Sequence, residues 1–418
     1  MIEYFRDLGQ RIEDGWRAWS YEEERFPDLV AAELHKSPPI DHVSLTDIYD
    51  WIFGHHQGFQ QPDKFPLFGE PSIQLYESAH FYIEVLFWRT ATTDVHQHGF
   101  SGVFYVLGGS SVHSHWNFET DRRISSSMQT GRLELESTEI LKPGDMKPIW
   151  SGNRLIHQLF HLEVPSVTIV VRTYKDSDQL PQFSYRSPGL AIAQADPDPL
   201  LHRRQILLDG MARGDLQGIE TYALRSVEDV DLKTVYYSLD TLMRCRRHLP
   251  EVLFAECFQR ARELHGEIVE LFWSVHQVER RIRLVRSKRQ SILDPAARFL
   301  LALLMLMPDR ASIFKGARLR DSDRDEMDCI ESWLKPVASP ETIGFTLEKA
   351  RAAIFRGLGL GEGSDEIIQR VGKIYGSEAL QNRRSELLVT IQNMAESDLF
   401  YPLFSETPLR PAIGFPGD

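Results

Sequence analysis

Cysteine is scarce in this chain: 418 residues contain only Cys245, Cys257 and Cys329. So few and so scattered, they exclude a disulfide framework and a thiolate zinc site, and they read as small, reduced, buried hydrophobes. Long apolar runs are missing too. The longest, Phe299 to Met307, is far short of the roughly 20 residues that cross a bilayer. The first residues, MIEYFRDLGQRIEDGW, lack the apolar core of a secretory signal. The expected setting is therefore the reducing cytoplasm, away from membranes. Positive charge is also in deficit. With 47 bases against 60 acids the formal net charge is −13, which argues against sequence-independent nucleic-acid binding.

What is present is ordinary globular composition, 42% apolar and 26% charged, in a chain long enough for two or three domains of about 150 residues. Residues 1–60 carry helix-like apolar spacing at Ile2, Phe5, Leu8, Ile12 and Trp16, which predicts a helical segment. From about residue 72 the pattern becomes strand-like. The segments HFYIEVLFW, GVFYVLGG, VHSHWNF, GRLELEST and SVTIVVRTY are rich in β-branched and aromatic residues and are separated by Gly, Pro, Asp and Ser. Short strands at that spacing predict a sandwich or barrel over residues 61–185. Lys175 to Pro199, with its prolines, reads as a linker. Residues 200–405 read as helical, with Asp294-Pro295 capping the helix that holds the Phe299 to Met307 stripe. The fold class expected is α+β: leading helices packed on a β-barrel, then an all-α domain.

Four of the 15 histidines fall in pairs within the strand region. His96 and His98 stand at i and i+2, so a strand projects both imidazoles from one face, a natural start for an Fe, Zn, Ni or Cu site. About 60 residues on, after the turn Pro143-Gly144-Asp145, comes His157, placed to complete a three-imidazole face with open positions for O₂, water or substrate.

That order of H-x-H, P-G-D and H is the one seen in cupin barrels, and two segments resemble one branch of them. TTDVHQHGFSGVFYVLGGS is similar to the metal-binding strand pair of the cysteine dioxygenase (thiol dioxygenase) branch. HQLFHLEVPSVTIVVRTY is similar to that branch's second motif, in which a tyrosine follows the third histidine on the next strand. The resemblance covers roughly residues 75–178. It implies a cupin-like barrel with His96, His98 and His157 as Fe(II) ligands and Tyr174 as a catalytic hydroxyl. Gly102 and Val103 stand where other cupins place a glutamate ligand, which suits the three-histidine branch. Val103 also stands where some members carry a cysteine crosslinked to the tyrosine. Val170 and Arg172 replace the serine and histidine that normally precede the tyrosine. The usual upstream carboxylate-gripping arginine has no counterpart, Arg89 being the nearest candidate, so Arg172 is the expected substrate clamp. These departures argue against free cysteine as substrate.

The expected function is thus oxidation of a small anionic or thiol-containing substrate by O₂ at a non-heme Fe(II) site. The alternatives are a lyase or isomerase using Zn, Ni or Mn at the same histidines, and a non-catalytic binding protein. Pairing of barrels through strand edges would give a homodimer, which an extra domain would block.

Other motifs have plainer readings. His113 and His115 either line the same cavity or form a solvated face, the second being simpler. His161 could sit in a turn or serve as a fourth ligand, and His55-His56 reads as a loop. Tyr174 could instead be a core tyrosine, and Arg172 could merely pair with Glu84 or Asp94. The basic run Glu279 to Arg289 reads as a solvated helix face rather than a polynucleotide patch. Gly357 to Gly363 lacks the strand and Lys-Ser/Thr of a phosphate loop, and Ser364 reads as the next N-cap.

Overall fold

Phe5, Leu8, Ile12 and Trp16 recur every three or four residues along helix α1 (Ile2–Ala18), so they form one buried stripe. The computed structural model describes residues 1–54, 69–90, 92–174, 181–194, 199–214, 218–228, 230–376 and 383–405. Helices α2 (Phe26–Lys36) and α3 (Leu45–Phe53) follow. The stripe of α1 joins Phe26 and Val30 of α2 in one core with Ile83, Val85, Val103, Ile169 and Val171 of the sheet behind it.

That sheet has five strands in the order β1 (Ser72–Glu77), β2 (Phe81–Trp88), β9 (Ser166–Thr173), β4 (Gly102–Gly108), β7 (Met146–Ile149). The other six strands close into a barrel. Around the ring they are β10 (Phe183–Arg186), β11 (Leu190–Ala193), β6 (Met128–Leu141), β5 (Ser111–Ser125), β8 (Gly152–His161) and β3 (Val95–His98), with β3 pairing back onto β10. Between sheet and ring lies an apolar core of Leu86, Trp88, Phe104, Leu155, Leu159 and Val170.

The stretch expected to be a linker holds the two closing strands of the barrel. FSYR and LAIA are only four residues each, with Ser187-Pro188-Gly189 between them, so their prolines outweigh their alternation in the sequence. Gly189 is required there: a Cβ would meet the Gly131 carbonyl oxygen at 1.8 Å. Gly102 is equally constrained, since a Cβ would lie 2.1 Å from the Val171 carbonyl oxygen on the paired strand. Gly102→Ala should therefore push β4 off β9 and destabilise the protein by about 1–3 kcal/mol. A thermal melt equal to wild type would contradict that close approach.

From Pro199 onward the described residues form helices and no strands. They begin with α4 (Pro199–Arg213), α5 (Ile219–Arg225), α6 (Leu232–Cys245), α7 (Glu251–His265), α8 (Ile268–Ser291) and α9 (Pro295–Leu306). Asp294 caps α9 as expected, its side chain accepting from the Ala297 N–H at 2.8 Å with Pro295 at the first helical position. Further on, Gly363 rather than Ser364 is the N-cap, its N–H donating to Glu366 at 2.9 Å. The three cysteines are buried and unbridged.

Cores cross from barrel to helices in two places. Met128, Leu190 and Ile192 pack with Leu239, Phe258 and Phe272. Val112, Phe160 and Leu162 pack with the α9 stripe. Each such side chain, fully buried, contributes roughly 1.5–3 kcal/mol.

The basic run on α8 is not simply a solvated face. Arg289 is 0% exposed and donates to the carbonyls of His161, Arg89 and Thr90. Arg286 donates to Thr92, the Thr93 carbonyl and Asp94. Arg280 and Arg283 pair with Asp398 and Asp240. Arg286 and Arg289 fasten α8 to the loop between β2 and β3, while Arg280 and Arg283 tie it to other helical segments. Their charge pattern resembles a wet surface because the partners, backbone carbonyls for Arg289 and side chains distant in sequence for the others, have no local sequence signature. No described helix is long and apolar enough to cross a membrane.

Candidate metal centre

Strand β3 is held between β8 and β10, and its register sets His96 directly across from His157. Because side chains alternate, His96 and His98 project together toward the inter-sheet core, while Val95 packs on the other side with Phe118, Ile156 and Tyr185. On β8 the same alternation sends Leu155, His157 and Leu159 inward. The three expected ligands therefore converge. Their donor nitrogens lie within 4.8 Å of one another, and all three residues are buried.

The chemistry of these donors fits a divalent metal ion. His98 Nε2 and His157 Nε2 are 2.8 Å apart, a contact that a shared proton or a shared cation satisfies. Two nitrogens each about 2.1 Å from one ion, at right angles, stand about 3 Å apart. His96 Nδ1 lies 2.8 Å from the Asp94 carbonyl. A carbonyl only accepts, so Nδ1 carries the proton and Nε2 keeps its lone pair. Burial pushes all three imidazoles below their usual pKa, His98 and His157 well below it. They are held in the neutral form that ligates metals.

Beside the histidines is a cavity of about 60 Å³, lined among others by Glu84, Trp88, Phe100, Phe104, Val170 and Arg172. It adjoins a chamber of about 470 Å³ at the barrel–helix seam, with His96, Trp88 and Thr93 lining both. Tyr237 of α6 and Arg286 of α8 line that chamber beside Arg186 of β10, so helical residues border it as well. No helical motif in the sequence signals this contribution.

Arg172 lies in the inner cavity, its guanidinium carbon 3.4 Å from the Phe100 ring centroid and its Nη1 3.8 Å from Glu84 Oε1. Glu84 is buried, and desolvation raises its proton affinity against the opposing pull of Arg172 and Ser72. Asp94, the other partner considered for Arg172, bonds Arg286 instead.

Tyr174 is elsewhere. Strand alternation would put it beside Val170 and Arg172, but β9 ends at Thr173 and the chain bends at Tyr174. Its hydroxyl donates to Glu77 at 2.9 Å and to the Ser78 carbonyl at 2.8 Å, and the residue is 41% exposed. It is not among the described residues that line the cavity.

His113, for which a solvated face was the simpler reading, is 0% exposed, with Nε2 2.9 Å from His157 Nδ1. Sequence spacing gives the alternation of β5 but not which of its faces looks inward. His115 is only half-buried, its Nε2 3.7 Å from Glu139. His161, considered as a fourth ligand, stands outside the group of donors within 4.8 Å; its Nδ1 lies 2.8 Å from Ser111 Oγ, and its ring stacks on Trp88. His55-His56 lies outside the described residues.

Burial pushes His161 down to about 3, whereas an unfolded histidine titrates near 6.5. In that window the unfolded chain binds a proton that the folded chain refuses. This contribution to stability is complete above about pH 6.5 and is lost progressively on acidification, at about 1.4 kcal/mol per pH unit. The urea midpoint of metal-free protein should fall between about pH 7 and about pH 5, and His161→Asn should flatten the fall. An unchanged slope in that variant would clear His161 of the effect.

No family model matches the chain, and no curated protein matches it either. Among solved structures it is similar to KdgF from Halomonas sp., at 18% identity and a TM-score of 0.19, over 26% of this chain and 84% of that one. Peruvianin-I, a cysteine peptidase from Thevetia peruviana latex, matches at 17% identity and a TM-score of 0.19, over 32% of this chain and 72% of that one. At such scores the reading rests on the barrel and its donors alone. By that geometry the chain contains a closed six-stranded β-barrel that carries a buried three-histidine group able to hold a metal ion.

Proposed function

We propose that the chain is a metal-dependent enzyme in which His96, His98 and His157 hold Fe(II), and that it oxidises a small anionic or thiol-containing substrate with O₂. The observation that carries this reading is the donor set: three neutral imidazoles, joined by no carboxylate within that 4.8 Å group among the described residues. Bound there, Fe(II) would keep its full 2+ charge, attract an anionic ligand, and supply the redox chemistry that O₂ requires. The protein's part is binding and exclusion. The seam chamber admits the substrate past His96, and Arg172 holds an anionic tail by charge-assisted hydrogen bonds. Phe100, Phe104 and Val170 keep bulk water from the inner cavity.

A second reading keeps the centre but not the oxidation: a lyase or isomerase with Zn, Ni or Mn as Lewis acid. Two observations favour it. The Tyr174 hydroxyl, which the thiol dioxygenase resemblance would place in the site, is bonded to Glu77 and Ser78. Glu84, a buried carboxyl with raised proton affinity, lines the cavity where an acid–base group would act.

Elemental analysis of anaerobically purified protein, followed by O₂ uptake with a panel of thiols and amino-acid anions, tests both. Iron with substrate-dependent uptake supports the first reading. Zinc, nickel or manganese without uptake transfers support to the second. No metal after reconstitution would overturn both.

A further inference from the structure

Behind His157, away from the cavity, three side chains stand in line toward the surface. His157 Nδ1 is 2.9 Å from His113 Nε2, and His113 Nδ1 is 3.0 Å from Glu139 Oε1. Lys147 Nζ reaches the same carboxylate at 2.8 Å. The direction of every proton in this line follows from the outermost member. An ionised carboxylate only accepts, so His113 must donate through Nδ1. A neutral imidazole has one proton, so His113 Nε2 accepts, and His157 must donate through Nδ1. His157 Nε2 is then left with a lone pair, aimed at His98 Nε2.

We infer that His113 and Glu139 are positioning residues that lock His157 in its metal-binding tautomer and ring orientation, and that this line strengthens it as a donor. The inference rests on the metal-centre reading above and goes one shell beyond it. Partners of this kind on a ligating histidine typically carry 10–100-fold in metal affinity.

The same residues invite another reading. His113, His115 and Glu139 have the donor types of a second metal site. Two observations decide against it. The Lys147 ammonium already neutralises Glu139, and both nitrogens of His113 are engaged, one of them with His157. A cation there would have to displace Lys147 and break the line.

Co(II), which is visible in absorption, is the probe. The full chain is titrated anaerobically with Co(II) against a competing chelator, as wild type, Glu139→Gln, Glu139→Asp and His113→Phe. Glu139→Gln and His113→Phe should bind a single Co(II) 10–100-fold more weakly with shifted d–d bands, while Glu139→Asp recovers most of the affinity. Glu139 is partly exposed, so Glu139→Gln should fold even where His113→Phe does not. Unchanged affinity and spectrum in Glu139→Gln would overturn the inference. So would a second Co(II) in wild type that this variant alone loses.

Nitrogen-15 NMR of histidine-labelled, metal-free protein separates this inference from the metal reading. Wild type should show His157 protonated at Nδ1, and Glu139→Gln a mixture of tautomers. If Co(II) never binds but the tautomer responds, the metal reading fails and the positioning role stands. If the tautomer does not respond, the positioning role fails.

Discussion

His157→Ala is expected to bring bound metal from about one ion per chain to near zero and to abolish any metal-dependent turnover with it. The reason is geometric. His157 is the only one of the three donors contributed by β8, and it pairs across the strand with His96 while its Nε2 meets that of His98. Without it, two imidazoles two residues apart on a single four-residue strand remain, and no described carboxylate stands within the group to replace the third donor. A two-donor site cannot compete with water and buffer for a divalent ion as a closed three-donor face can. The barrel should survive, because His157 lies among Leu155, Leu159 and Phe104 and its loss leaves a small interior gap rather than an orphaned charge. Elemental analysis beside far-ultraviolet circular dichroism reads both outcomes. Stoichiometric metal in a folded His157→Ala protein would sink the assignment.

The largest expected effect on stability lies at Arg289. Its guanidinium is 0% exposed and its hydrogen bonds go to carbonyls, those of His161, Thr90 and Arg89. Burial, reinforced by the neighbouring Arg298, pushes its pKa down to about 10, so the charge is held at a real desolvation cost. Two effects oppose each other in Arg289→Met. Losing a buried charge is favourable, whereas three carbonyls lose a charged donor at about 1–3 kcal/mol each when buried. The second is larger, and a net loss of about 3–5 kcal/mol is expected. The same change frees the loop that leads into β3, so metal affinity should drop as well. Arg289→Lys, which donates but lacks the fork, should fall between wild type and Arg289→Met. Urea midpoints in that order, with metal affinity following, are the expected result; equal midpoints would show that carbonyl satisfaction does not hold the seam.

What could be read from the sequence followed from periodicity. His96, His98 and His157 were legible because alternation on strands fixes shared faces, and the α9 cap was legible because Asp-Pro before an apolar stripe has one plain meaning. Tyr174 was misplaced by the same rule, since alternation continues on paper past the residue where β9 stops. His113 was ambiguous because β5 alternates correctly in either orientation until β8 is known to lie beside it. Strands β10 and β11 hid behind prolines. Arg289 of α8 hid because its partners are main-chain oxygens. In each case the missing information is tertiary: which face, which neighbour, which end.

Synthesis order gives the barrel a schedule. The three clustered histidines have all been made by residue 157, yet β3, which carries two of them, has its second neighbour only when β10 at residues 183–186 arrives, and the ring closes with β11 at residue 193. At ribosomal rates of about 5–20 residues per second, His98 waits on the order of ten seconds for closure. During that wait β3 presents two imidazoles on an open edge. Under the proposed function, an ion would meet the fewest barriers before the ring shuts, and the helices that later seal the seam would close over it.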